Sequence, residues 1–172
     1  MGREIRRVPP RWDHPTIDHY GRAEFQPMYD KTLADAMGEW LADFDRIRAG
    51  GMTDDEREYY PLGLADWMAD YPPPAPSYYR PWADADATWV QVWETVSEGT
   101  PVSPPFATKE ELAAYLAANG DFWDQKRRGG KAGWGKASAD AFVGAGWAPS
   151  LAVIGGRVVE SKGVAAALSE GE

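Results

Sequence analysis

The fourteen prolines of this 172-residue chain are the feature that most restricts its fold. Most of them cluster at 9–15, 61–81 and 101–105. Because proline fixes φ and lacks an amide donor, such stretches are extended connectors rather than helices or inner strands. Nine Trp and eight Tyr offer large buried areas with little loss of rotamer freedom. The sequence therefore predicts a protein rich in loops, with a small sheet and a few helices.

After the first proline cluster, the chain has the periodicity of an amphipathic helix. Apolar residues recur three and four positions apart, which places them on one helix face. They are Leu33, Met37, Trp40, Leu41, Phe44 and Ile47. Asp30 is the predicted N-cap, and Gly50 with Gly51 is the predicted stop.

Capping signals predict shorter helices along the rest of the chain. Thr-x-x-Glu capping boxes at 53–56 and 108–111 each open a segment with helical spacing. Residues 62–71 are predicted to form a further short helix. Gly120 is a predicted helix stop, and Ser138 is a predicted N-cap.

Two segments are predicted strands. Residues 88–96, TWVQVWETV, are rich in β-branched and aromatic residues, with apolar side chains on both faces. Residues 151–160, LAVIGGRVVE, read as a hairpin around a two-residue Gly-Gly turn. The predicted fold class is α+β, with a small, mainly antiparallel sheet. We expect residues 1–29 to form an extended arm packed on the body, and residues 30–172 to form a single globular domain.

Charge is distributed unevenly along the chain. Its net value is −9, yet residues 1–12 carry +3 and residues 30–70 carry −7. An acidic body repels phosphate backbones, which argues against duplex nucleic acid as a partner. An acidic, aromatic surface could instead engage a basic partner, such as a nucleic-acid-binding protein. The aromatic stretch 59–82, which includes Arg80, could serve as a platform for bases or proline-rich peptides. Solubility and core packing are the simpler explanations of the same residues.

The absence of cysteine excludes disulfides, thiolate metal sites and a cysteine nucleophile. No stretch approaches the roughly 18 apolar residues that a membrane helix needs, and the N-terminus lacks the apolar run of a secretory signal. A cytoplasmic protein without membrane contact is expected. No cofactor is indicated.

The loop after the predicted strand is the main candidate for a functional surface. It places short polar side chains on a stiff segment that is hinged by glycine and proline, a favourable setting for a ligand rim or a partner contact. The candidate residues are Glu94, Ser97, Glu98, Thr100 and Ser103. The competing interpretation is structural: the prolines end the strand and carry the chain to the Thr108 cap.

Two other patterns contain residue types that could bind a metal or a phosphate. His14 and His19 each follow an aspartate, but their spacing matches no established metal-ligand pattern, so no metal site is predicted. The basic glycine-rich segment 127–136 lacks the G-x-x-x-x-G-K-[ST] spacing of a phosphate loop and is predicted to be a mobile basic loop.

Several stretches resemble a family of uncharacterised bacteriophage and prophage proteins. They are REIRRVPPRWDHP, FQPMYD, YYRPW, ETVSEGTPVSPPFATKEEL and GWAPS. The resemblance implies a small protein made in the host cytoplasm during infection. It implies no activity and no catalytic residues.

In that setting the sequence favours an accessory protein that binds a host protein. Counter-defence is one form of this role, by blocking a host complex or by sequestering a small nucleotide signal. Trp147 and Ser150 join the loop residues as contact candidates. The alternatives are a small ligand-binding domain or enzyme with Glu94, Glu98, His14 or His19 as acid–base groups, and a structural component of the virion. The sequence does not indicate an oligomeric state.

Overall fold

The computed structural model of the chain describes residues 2–96, 98–128, 133–149, 151–154 and 157–160. The strands are β1 Gly2–Val8, β2 Thr16–His19, β3 Arg22–Phe25, β4 Tyr29–Thr32, β5 Tyr79–Arg80, β6 Trp89–Glu94, β7 Thr100–Pro101, β8 Trp147–Pro149, β9 Leu151–Ile154 and β10 Arg157–Glu160. The α-helices are α1 Leu33–Arg48, α2 Asp54–Tyr59, α3 Leu64–Asp70, α4 Lys109–Asn119, α5 Phe122–Arg128 and α6 Lys136–Ala145. The predicted α+β class with antiparallel pairing is confirmed.

The chain is organised in two compact units. One contains the described residues up to Met28 and from Trp82 onward, and the other is the continuous segment Tyr29–Pro81. We call them the sheet unit and the inserted unit.

The sheet unit contains a four-stranded antiparallel sheet with the strand order β7-β6-β1-β8. Its inner strand β1 comes from the segment that we expected to be an arm. Within that segment, β1 pairs with β6 on one side and β8 on the other, and β2 and β3 form a hairpin. The predicted hairpin forms with Ile154 opposite Arg157, as a separate two-stranded sheet.

Apolar residues cover both faces of β6, as its sequence predicted. Val92 belongs to a cluster with Leu112 and Leu116 of α4 and Phe142 of α6. The next residue, Trp93, is fully buried in a second cluster with Val8, Met28 and Trp82. The strand therefore lies inside the unit and fixes the residues that follow it.

The inserted unit is built from α1, α2, α3 and the parallel pair β4–β5. Helix α1 begins at Leu33, because the Thr32 hydroxyl, and not Asp30, accepts the amide of Asp35 at 3.1 Å. The capping box of Thr53 and Glu56 is complete. A bidentate pair with Arg46, at 2.8 and 2.9 Å, lowers the pKa of Glu56 to about 2.

Two other predicted caps differ from the structure. Thr108 accepts the amide of Glu111 as expected, but the Glu111 carboxylate accepts from Ala107 instead of the N-cap residue. Helix α6 starts from Gly135, upstream of the predicted cap Ser138, so that prediction was wrong. Among the described residues, no helix is both long and apolar enough to cross a membrane.

Candidate functional site

A cleft of about 560 Å³ in the sheet unit contains two of the predicted contact residues, Glu94 and Thr100. It lies between the β2–β3 hairpin, the ends of β6 and β7, and the start of α5. We call it the Glu94 cleft. Helix α5 was not predicted, since the sequence around it was interpreted as a basic loop.

The Glu94 carboxylate is held in place by two neutral donors. The hydroxyl of Thr100 donates to Oε1 at 2.8 Å, and the indole Nε1 of Trp123 donates to Oε2 at 2.9 Å. Antiparallel pairing places Glu94 opposite Thr100, which explains the first contact. Within the described ranges Glu94 forms no ion pair, so it presents a negative charge that its hydrogen-bond partners do not neutralise.

Trp123 reaches Glu94 because Asp121 positions the first turn of α5. The buried Asp121 accepts the amide of Asp124 at 2.8 Å and forms an ion pair with Arg3 of β1. An aspartate at a helix start satisfies an amide that has no partner within the helix. This cap directly after the Gly120 stop is the signal that could have predicted α5.

The walls of the cleft are apolar and partly exposed. Phe25 stacks on Phe122 with ring centroids 6.3 Å apart, and Ile17 lines the hairpin side. Phe25 and Trp123 each keep 38% of their surface exposed, and Ile17 keeps 41%. Apolar surface that stays exposed within a concave site is available to a partner or ligand.

Charges of both signs line the rim of the cleft. The ammonium of Lys126 lies 4.8 Å from the ring centroid of Trp123, a cation–π contact. On the opposite side, His19 Nδ1 lies 3.1 Å from a carboxylate oxygen of Glu24. The rim therefore combines Lys126 with the carboxylate of Glu24 and the imidazole of His19.

Ser103 was predicted to be a contact residue, but the structure buries it fully. Its Oγ accepts the amide of Val92 at 2.9 Å and donates to the carbonyl of Pro104 at 2.9 Å. Its own carbonyl accepts the side-chain amide of Gln91 at 2.8 Å. Ser103 therefore has no surface for a partner and acts as a hydrogen-bonding residue of the interior.

The remaining predicted contacts do not join the cleft. Glu98 is half-buried, and its carbonyl accepts from Arg6 at 3.2 Å, which ties the loop to β1. Trp147 is 52% exposed at the start of β8 and is absent from the lining of the cleft. Ser97 and Ser150 lie outside the described residues.

His14, an alternative acid–base candidate, is buried away from solvent. Its Nε2 donates to the carbonyl of Gln26 at 2.7 Å, and its Nδ1 accepts from the Trp12 indole at 3.1 Å. Burial, together with the nearby charge of Arg6, lowers its pKa, although the Gln26 contact and Asp13 act in the opposite direction. We conclude that His14 is a neutral structural residue, whereas His19 lies in the cleft.

No group of three histidine or carboxylate side chains that could hold a metal is found within the part of the chain that the structure describes. Compared with known proteins, the chain matches no family model, and neither the curated proteins nor the solved structures contain one with significant similarity to it. The candidate site is thus defined by its own geometry: a fixed carboxylate inside an apolar cleft with a rim of mixed charge.

Proposed function

We propose that this chain is a phage-encoded accessory protein that acts in the host cytoplasm by binding a host protein. The Glu94 cleft is the proposed contact site. It receives an apolar side chain of the partner, while Glu94 accepts a hydrogen bond from a nearby N–H or ammonium group. The observation that carries the proposal is the exposed apolar wall of Ile17, Phe25 and Trp123 around a fixed acceptor.

Interface energetics support this choice. Binding energy in protein complexes concentrates in aromatic residues near the centre of the contact, surrounded by polar groups. The cleft has that arrangement, and the hydrogen bonds to Glu94 organise its acceptor before a partner arrives. Preorganisation reduces the entropy lost on association.

The charges of the rim favour a protein segment over a nucleotide. A phosphate placed in the cleft would approach Glu24 and Glu94, with Lys126 as the compensating cation. Like charges at short range oppose such binding. A peptide that carries an amide or an ammonium group meets no such repulsion.

Pull-down from phage-infected cells tests the proposal. The wild-type protein is expected to recover a host protein in stoichiometric amount, and Trp123→Leu is expected to lose it. Trp147→Leu is the matched control, because it removes a comparably exposed indole outside the cleft. Circular dichroism of both variants shows that the fold is intact. The proposal would be contradicted if Trp123→Leu still recovered the host protein, or if wild type recovered virion proteins alone.

A second candidate function is a small-molecule site or enzyme, because Glu94 and His19 line the same cleft. A screen of nucleotides and other metabolites for binding or turnover, repeated with Glu94→Gln, tests it. Mass spectrometry of purified particles tests the remaining alternative, a structural role in the virion.

A further inference from the structure

The inserted unit carries a second concave site, which is independent of the Glu94 cleft. It is a groove of about 580 Å³ formed by β4, α1, α3, the segment after α3 and β5. Aromatic side chains line it: Tyr29, Trp40, Trp67, Tyr71 and Tyr79. We call it the aromatic groove.

The aromatic rings form two contact groups. In one, Trp67 lies 5.8 Å from both Trp40 and Tyr71, measured between ring centroids. In the other, the centroids of Tyr29 and Tyr79 are 5.3 Å apart. The indole of Trp40 donates to the carbonyl of Tyr71 at 2.9 Å, which fixes the end of α3 against α1.

These rings serve as more than core. Trp67 is buried, but Tyr71 is 54% exposed and Tyr29 is 41% exposed. Exposed aromatic faces in a preformed concavity are unfavourable in water and bind partners that cover them. Pro72 and Pro74 also line the groove, and proline restricts the backbone of the segment that carries Tyr71.

Carboxylates surround the aromatic rings. Asp30, Glu39, Asp43 and Asp70 line the groove, together with one lysine, Lys31. Three of these acids pair with basic side chains: Glu39 with Lys31, Asp43 with Arg46, and Asp30 with Arg80. Asp70 forms no ion pair among the residues that the structure describes.

The whole inserted unit has the same sign of charge. It contains eleven carboxylates and five lysines or arginines, a net charge of −6 out of −9 for the chain. The field at the groove is therefore negative beyond its immediate lining, and it attracts cations and repels phosphates.

We propose that the aromatic groove binds an arginine-bearing segment of a basic partner protein. The guanidinium lies against an aromatic face and hydrogen-bonds to Asp70. Arginine suits this site better than lysine, because its planar group stacks on rings and presents a fork of donors to a carboxylate. Nucleic acid is excluded as the occupant by charge, and an uncharged apolar segment would leave Asp70 without a partner.

The test measures binding of a short fluorescent peptide, in which arginines alternate with proline and leucine, to the full-length protein by anisotropy. A second peptide carries citrulline, which keeps the shape of arginine but removes its charge. Citrulline is expected to weaken binding about tenfold, the range of a partly desolvated cation–π contact with its ion pair.

Two variants identify the site. Asp70→Asn is expected to weaken binding of the arginine peptide several-fold and to reduce the salt dependence of that binding. Asp54→Asn is the matched control, since it removes the same charge from the same unit at a side chain that is 96% exposed and outside the groove. Trp40→Leu is expected to weaken binding even at high salt, because it removes a ring rather than a charge.

Several results would overturn the inference. They are no binding of the arginine peptide, equal binding of the arginine and citrulline peptides, or equal effects of Asp70→Asn and Asp54→Asn. Sedimentation must also show that the free protein does not self-associate through the groove. If the protein forms a dimer that dissociates in Asp70→Asn, the occupant of the groove is a second copy of this chain. The Glu94 cleft is untouched by these variants, so this test and the pull-down above fail independently.

Discussion

Replacing Ser103 by alanine separates a structural role from a contact role. The Ser103 hydroxyl is the acceptor for the amide of Val92, and both residues are fully buried. Alanine leaves that buried amide without its side-chain acceptor. A buried donor left unsatisfied costs about 1–3 kcal/mol. The bond between Gln91 and the Ser103 carbonyl stays in place, so the change removes only the two bonds of the hydroxyl, from the Val92 amide and to the Pro104 carbonyl.

Urea unfolding measures the effect. With a loss of about 2 kcal/mol and an m-value of about 2 kcal/mol/M, the midpoint should fall by about 1 M. Hydrogen exchange at the Val92 amide should accelerate in parallel. Thr100→Val is the control: it removes one hydroxyl whose bond to Glu94 lies at a partly exposed site where water can replace it, so a smaller loss than that of Ser103→Ala is expected.

A free energy of unfolding for Ser103→Ala within about 0.5 kcal/mol of wild type would refute the structural role. Loss of partner binding in the pull-down by Ser103→Ala at unchanged stability would show instead that the residue is reached by a ligand.

Three further predictions concern stability. Because burial lowers the pKa of His14, the unfolded chain takes up a proton below about pH 6.5, whereas the folded chain does not. Wild type should therefore lose stability relative to His14→Gln as the pH falls from 7.5 to 5.5, measured by denaturant titration at each pH. A Cβ at Gly133 would lie 2.3 Å from the Ala117 carbonyl oxygen, so Gly133→Ala should lower the free energy of unfolding by about 1–3 kcal/mol, whereas Gly144→Ala, in a helix with open space around it, should raise it by about 0.5 kcal/mol. Asp121→Asn removes the carboxylate charge beside the largely buried Arg3 and should cost about 3 kcal/mol in the same assay.

Elements set by neighbouring residues could be predicted from the sequence. The Thr53–Glu56 box forms as expected because both hydrogen bonds close within one helical turn. The start of α1 could not be predicted in the same way. Asp30 lies in β4, whose pairing partner Tyr79–Arg80 is about fifty residues away in the chain, and Thr32 takes the capping role.

The arginines near the N-terminus show a second limit. Their charge alone gave no sign that one of them would be buried, but Arg6 lies over the ring of Trp93 at 4.6 Å and donates to the carbonyl of Met28 at 2.6 Å. These contacts depend on which strands become neighbours, and local composition does not contain that information. For the same reason, the Glu94 cleft could be predicted only in part. Glu94 and Thr100 were predicted, whereas Phe25 and Trp123 reach the cleft through tertiary structure.

The position of β1 has a consequence for how the chain matures on the ribosome. Its partners are residues 89–94 and 147–149, so the four-stranded sheet is completed only after nearly 150 residues have been synthesised. The segment Tyr29–Pro81 is continuous, and its internal contacts are available much earlier. Long-range pairing closes slowly compared with local contacts. The nascent protein thus lacks one or both neighbours of β1 for most of its synthesis, and charged side chains such as the three arginines of that strand, at positions 3, 6 and 7, oppose its pairing with other chains in the interval.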